Sequence, residues 1–187
     1  MAADNFSAAR AATRHLAVRL GHRKIAYLYA PHRLGTSQRE RLEGYESVMR
    51  ELGLKPLPWE AVYPREHRRQ EGREATRDLL VDKQGEGVTA ILASSDSMAM
   101  GALRALHDAG RQVPDDVALM GFDGAEAGDY LEPPLTTMTL PMRAIGEQAA
   151  RLLLARIEGD KTTPPRHILL PAELVVRASC GAERIVD

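Results

Sequence analysis

A single cysteine, Cys180, is all the thiol chemistry these 187 residues carry. No intramolecular disulfide can form and no Cys-x-x-Cys pair exists, which suits a reducing compartment. Excess charge of either sign is missing too: the net charge is -1 and the pI about 6.6, so nothing attracts a phosphate backbone over long range. Nowhere do 18 apolar residues run together, and residues 1–10 hold no apolar stretch of leader length. The chain is therefore expected in the cytoplasm.

Catalytic signatures are also lacking. There is no Gly-x-Ser-x-Gly elbow, no Gly-x-x-x-x-Gly-Lys phosphate loop and no Gly-x-Gly-x-x-Gly turn. The histidines, His15, His22, His32, His67, His107 and His167, show no metal-ligand spacing. Glu126 and Asp129 beside Asp123 read as an acidic surface loop, and Cys180 lacks an obvious basic partner. The expectation is a protein that is no enzyme and needs no metal or cofactor.

What remains is an ordinary globular composition, 44% hydrophobic and 27% charged, long enough to bury a sizeable core. Residues 4–20 read as a helix, capped by Asp4 or Ser7 and stopped by Gly21. Residues 24–30 read as a strand. Ser37 to Glu40 has capping-box spacing and opens a helix to Gly53. A proline-rich loop follows around one short strand near 61–63, then a helix over 66–83. Strands at 88–93, 117–121 and 136–140, with a helix over 96–109, extend the alternation. A last helix begins at Pro141 and reaches Glu158, and two short extended runs, 167–170 and 173–177, finish the chain. Alternation of this kind predicts an α/β fold with a doubly wound, mostly parallel sheet. The helices over 4–20 and 141–158 fall outside the compact alternation of residues 24–123, which suggests pieces of a second lobe.

Ligands of such sheets bind beyond the carboxyl ends of the strands. That rule selects His32, Arg33, Ser37 and Arg41 after the first strand, Ser94, Ser95 and Asp96 after the 88–93 strand, and Phe122, Asp123 and Gly124 after the 117–121 strand. An arginine fork, hydroxyls and two carboxylates at one rim suit a polyhydroxylated ligand. Ser37 and Asp96 are equally placed to be helix caps, and the residues alone leave both readings open.

The same residues carry a family likeness. Gly21-His22-Arg23-Lys24-Ile25-Ala26, Arg41-Leu42-Glu43-Gly44-Tyr45, Ser95-Asp96-Ser97-Met98-Ala99-Met100-Gly101, Val113-Pro114-Asp115-Asp116-Val117, Gly121-Phe122-Asp123 and Pro134-Leu135-Thr136-Thr137 occur in order. Together they resemble the LacI/GalR family of bacterial transcription regulators, from residue 4 to residue 177. The resemblance implies a periplasmic-binding-protein-like fold of type I, with two lobes, three crossings and a small-molecule effector in the cleft between them. It assigns residues 1–20 and 141–160 to a largely missing first lobe, 21–140 to the second lobe, and 161–187 to strands returning to the second lobe. It also implies a homodimer, a sugar-like effector, no membrane, and operator DNA bound only through an N-terminal head that these residues do not include. The runner-up is the sugar-binding protein of a transporter, which shares the fold.

Carried across position by position, the family's effector contacts fall on Ser37, Arg41, Ser95 and Asp123, with Asp96 beside them and His67 where an aromatic often covers a sugar face. Two positions depart from the family pattern. Ser95 stands where asparagine is usual and offers one donor instead of two; Gly124 stands where a second aspartate is usual.

Overall fold

A computed structural model describes residues 1–33, 35–61, 68–158 and 167–182. Its centre is a six-stranded sheet in the order β3-β2-β4-β5-β6-β8. The strands are β2 (Ile25–Tyr29), β3 (Leu57–Glu60), β4 (Ala90–Ala93), β5 (Ala118–Asp123), β6 (Thr136–Thr139) and β8 (Glu173–Val175). All neighbours pair in parallel except β6 and β8.

The period-two pleat sends alternate residues to opposite faces, and both faces are covered. Ile25, Tyr27 and Tyr29 of β2 and Ala90 and Leu92 of β4 join one core with helices α1 (Asn5–Arg14) and α2 (Thr36–Glu51). Ala26 and Leu28, with Ile91 and Ala93, face the other core under α3 (Arg68–Val81) and α4 (Asp96–Asp108). Tyr45 of α2 ties its helix to the sheet: its hydroxyl donates to the Ile25 carbonyl at 2.7 Å and accepts from the Leu57 amide at 2.8 Å.

Three differences from the sequence reading have physical causes. The short strand lies at Leu57–Glu60 and not at 61–63, of which Val62 and Tyr63 fall outside the described residues. Pro58 made that run look unfit for a strand, but β3 is the edge of the sheet, where a missing N–H is harmless. Ser37 does not cap α2: the cap is Gly35, without a side-chain hydrogen bond. And α1 does not stand apart with a first lobe. Its alanine stripe, Ala8, Ala9 and Ala12, together with Leu16 and Ala17 of the π-helical turn His15–Arg19, is buried in the α1–α2 core. The Asp4 cap accepting from the Ser7 amide at 2.9 Å starts α1 as expected.

Outside the large sheet, β1 (Ala2–Ala3) pairs in parallel with β7 (Leu169–Leu170), and α5 (Met142–Ile157) contacts β1. Only β8 of the two terminal strands returns to the large sheet. No residue of α5 is buried, and Leu153 and Ile157 are 62% and 71% exposed, so this helix keeps an apolar face open. Among the described residues no helix is long and apolar enough to cross a membrane.

Tyr27 is fully buried with its hydroxyl lacking a hydrogen-bond partner among the described residues, and burial pushes its phenol far above the ordinary range. An unsatisfied buried hydroxyl costs about 1–3 kcal/mol. Tyr27→Phe removes that cost while keeping the ring stacked on Tyr45, 5.1 Å away. We expect the variant to be more stable by about 1 kcal/mol in urea unfolding, whereas Tyr45→Phe loses two hydrogen bonds and destabilises.

Candidate functional site

Chain order makes β2 the turning point of the sheet: β3 lies on one side of it and β4 on the other. Crossovers leave β2 and β4 toward opposite faces there, which opens a crevice at their carboxyl ends. Arg41 sits over that crevice from the second turn of α2, one helical turn after Ser37 and on the same face. Ser37 itself is exposed.

Arg41 is only 4% exposed yet charged, and the chain surrounds it with acceptors. Its Nη1 donates to the Ser94 carbonyl at 2.7 Å and to Asp123 Oδ1 at 2.9 Å, and its Nε donates to Asn5 Oδ1 at 2.9 Å. The guanidinium lies 4.1 Å from the Phe122 ring centroid, a cation–π contact. Three strand or helix ends thus converge on one side chain. Nη2 of Arg41 and Oδ2 of Asp123 make no hydrogen bond within the described residues.

Asp123 ends β5 at φ 111°, a left-handed value that a non-glycine residue holds only under constraint, followed by Gly124 at φ 78°. A Cβ on Gly124 would lie within 3 Å of Thr139, so the turn needs the departure from aspartate that the sequence shows there. Burial raises the Asp123 carboxyl above its ordinary value of 3.8, with Arg41 opposing.

Asp96 holds this turn in place. It is 1% exposed; Oδ1 accepts from the Thr137 hydroxyl and Oδ2 from the Ala125 amide, both at 2.6 Å. Its carboxyl is likewise raised by burial. Gly121 makes room for it, since a Cβ there would come within 2.2 Å of Oδ1. Ser95, 2% exposed, is the cap of α4, its hydroxyl accepting from the Met98 amide at 3.3 Å. So Asp96 and Ser95 shape the rim, while Arg41 and Asp123 each keep one polar atom without a hydrogen bond within the described residues. His67 lies outside the described residues.

Beside this pair, His32 Nε2 meets the buried Glu71 at 3.0 Å, and a narrow cleft runs between Gln38, Arg68, Glu71, Ser94 and Ser95. A roomier groove of about 440 Å³ lies at the amino ends of β4 and β5, over Leu79 and Ile91. It is at the opposite end of the sheet from every converging group named above. Among the described residues no three His, Cys, Asp or Glu side chains gather as a metal site.

Sequence reading missed Asn5, the Ser94 carbonyl and Thr137. Asn5 looked like part of a helix start, a main-chain carbonyl leaves no mark in sequence, and Thr137 is recognisable only once β6 lies beside β5.

Residues 13–180 match the periplasmic binding protein-like domain family. The transcriptional regulator CelR of Thermobifida fusca is 36% identical over 176 residues, covering 94% of this chain and 50% of its own length. The repressor MelR of Bacillus subtilis is 37% identical over 187 residues, covering 95% and 52%. The chain thus spans about half the length of the curated relatives it matches. Among solved structures, a CelR–cellobiose complex superposes with a TM-score of 0.80 at 34% identity, covering 95% of this chain and 52% of that one. A LacI-family regulator of Enterococcus faecium with bound ribose gives 0.81 at 27% identity, covering 95% and 63%. The chain belongs to the periplasmic binding protein-like domain family and matches the C-terminal, effector-binding portion of LacI-type transcriptional regulators.

Proposed function

We propose that this chain senses a small neutral sugar or related polyol at the Arg41–Asp123 rim, as the effector-binding part of a LacI-type regulator. The carrying observation is the ion pair itself, with Arg41 Nη2 and Asp123 Oδ2 making no hydrogen bond within the described residues. Vicinal hydroxyls both donate and accept, so one sugar edge satisfies both atoms. Ribose and cellobiose in two structural relatives support that ligand class. The site works by binding and not by covalent change. Operator contact resides in the part of the relatives that this chain does not span, in keeping with its net charge of -1. The protein acts in the cytoplasm as a homodimer, and the effector alters operator affinity by differential binding to two arrangements of the lobes.

Calorimetric titration with neutral pentoses, hexoses and disaccharides tests the reading. At least one should bind, and Asp123→Asn should weaken it tenfold or more, since a hydrogen bond to a charged group is worth about 1.5–3 kcal/mol. Silence across the whole panel, or an affinity indifferent to Asp123→Asn, overturns it.

A further inference from the structure

Asn5 is 3% exposed and stands where the chain passes from β1, in the small sheet, into α1, which packs against the large one. Both ends of its side-chain amide are used. Oδ1 accepts from Arg41 Nε at 2.9 Å; Nδ2 donates to the Ala3 carbonyl at 3.1 Å and contacts Glu40 Oε2 at 3.4 Å. Ala3 is itself a β1 residue paired with Leu170 of β7. A continuous hydrogen-bonded path therefore runs from the small sheet through one amide to the guanidinium.

A guanidinium is planar, so fixing Nε and Nη1 also fixes where Nη2 lies. Ser94 and Asp123 both hold Nη1, and among the described residues Asn5 alone holds Nε. Without Asn5 the plane can turn about its Nη1 contacts. We propose that Asn5 is a positioning residue for the effector: it sets the plane of Arg41 and links that plane to the β1–β7 sheet. The inference rests on the rim being the effector site.

A double-mutant cycle tests it, because a residue acting only through Arg41 has no effect once Arg41 is gone. With a sugar found in the titration above, Asn5→Ala should weaken binding roughly tenfold, as expected from one lost hydrogen bond of about 1–1.5 kcal/mol. The same change in an Arg41→Ala background should do nothing further. Asn5→Asp, which keeps an acceptor for Nε but loses the donor to the Ala3 carbonyl, should bind with an affinity between those of the wild type and Asn5→Ala. Additive losses, or an Asn5→Asp variant as weak as Asn5→Ala, overturn the proposal.

A ligand-free readout separates this from failure of the effector reading. The Arg41 Nε–H resonance should exchange slowly with solvent in the wild type and at least tenfold faster in Asn5→Ala. If no sugar binds but exchange accelerates, the positioning geometry stands and the effector reading falls. Unchanged exchange removes the positioning role whatever the sugars do.

Discussion

Arg41→Ala is expected to weaken sugar binding by up to roughly a hundredfold, the loss of a charged hydrogen bond of about 1.5–3 kcal/mol, and to destabilise the chain by about 3 kcal/mol. Removing one partner of a buried ion pair costs about 3–5 kcal/mol, because the other charge is stranded. The lower end applies here, since the Asp123 side chain is 37% exposed and water recovers part of its charge. The loss is spread over several groups: the Ser94 carbonyl and Asn5 Oδ1 also lose their donor, and Phe122 loses its cation. Arg41→Lys keeps the charge but not the fork, so it should recover stability in part and binding hardly at all.

The same variant should change how stability depends on pH. The Asp123 carboxyl is already raised above 3.8 by burial, and Arg41 is the largest influence holding it down. Above 3.8 the folded chain keeps a proton that the unfolded chain has released, so stability falls as pH rises through that window. Without Arg41 the window widens upward and the fall becomes larger. Urea midpoints measured from pH 4 upward should diverge between wild type and Arg41→Ala as pH rises. Parallel curves would mean that Asp123 does not feel Arg41.

How far these groups were legible in sequence depended on what each one needed. The order of strands and helices followed from composition, because a buried parallel strand such as Ile25–Tyr29 must be apolar on both faces. The carboxyl-end rule then put Arg41 and Asp123, 82 residues apart, at one rim. Their direct bond was not legible, nor was the fate of Asp96, whose carboxylate depends on a side chain that Gly121 lacks. Helix α1 failed differently. Ala8, Ala9 and Ala12 announce a helix that something approaches closely, but alanine carries too little shape to say what. The approach is made by α2, where a Cβ on Gly44 would lie 2.5 Å from the Phe6 carbonyl oxygen.

The second large effect is expected where α3 and α4 cross. Helix propensity predicts that glycine-to-alanine changes inside helices stabilise by roughly 1 kcal/mol. At Gly101 of α4 the packing predicts the reverse, since a Cβ would lie 1.8 Å from the Arg69 carbonyl oxygen. Gly72 of α3 is the mirror case, 2.1 Å from the Met98 carbonyl oxygen. Both obstacles are backbone, so no side chain can swing aside and the helices must part. Parting them opens the core beneath, where Ala75, Leu79, Ala102 and Leu106 are buried. Gly101→Ala should therefore lose about 3 kcal/mol, at the upper end of overpacking costs, with Gly72→Ala close behind. Gly146→Ala in α5 is the control: a Cβ there would meet nothing within 4 Å among the described residues, and propensity alone should raise stability by about 0.5–1 kcal/mol. Urea unfolding of the three variants decides between the two effects. A stabilised Gly101→Ala would mean that the helices do not cross at this distance.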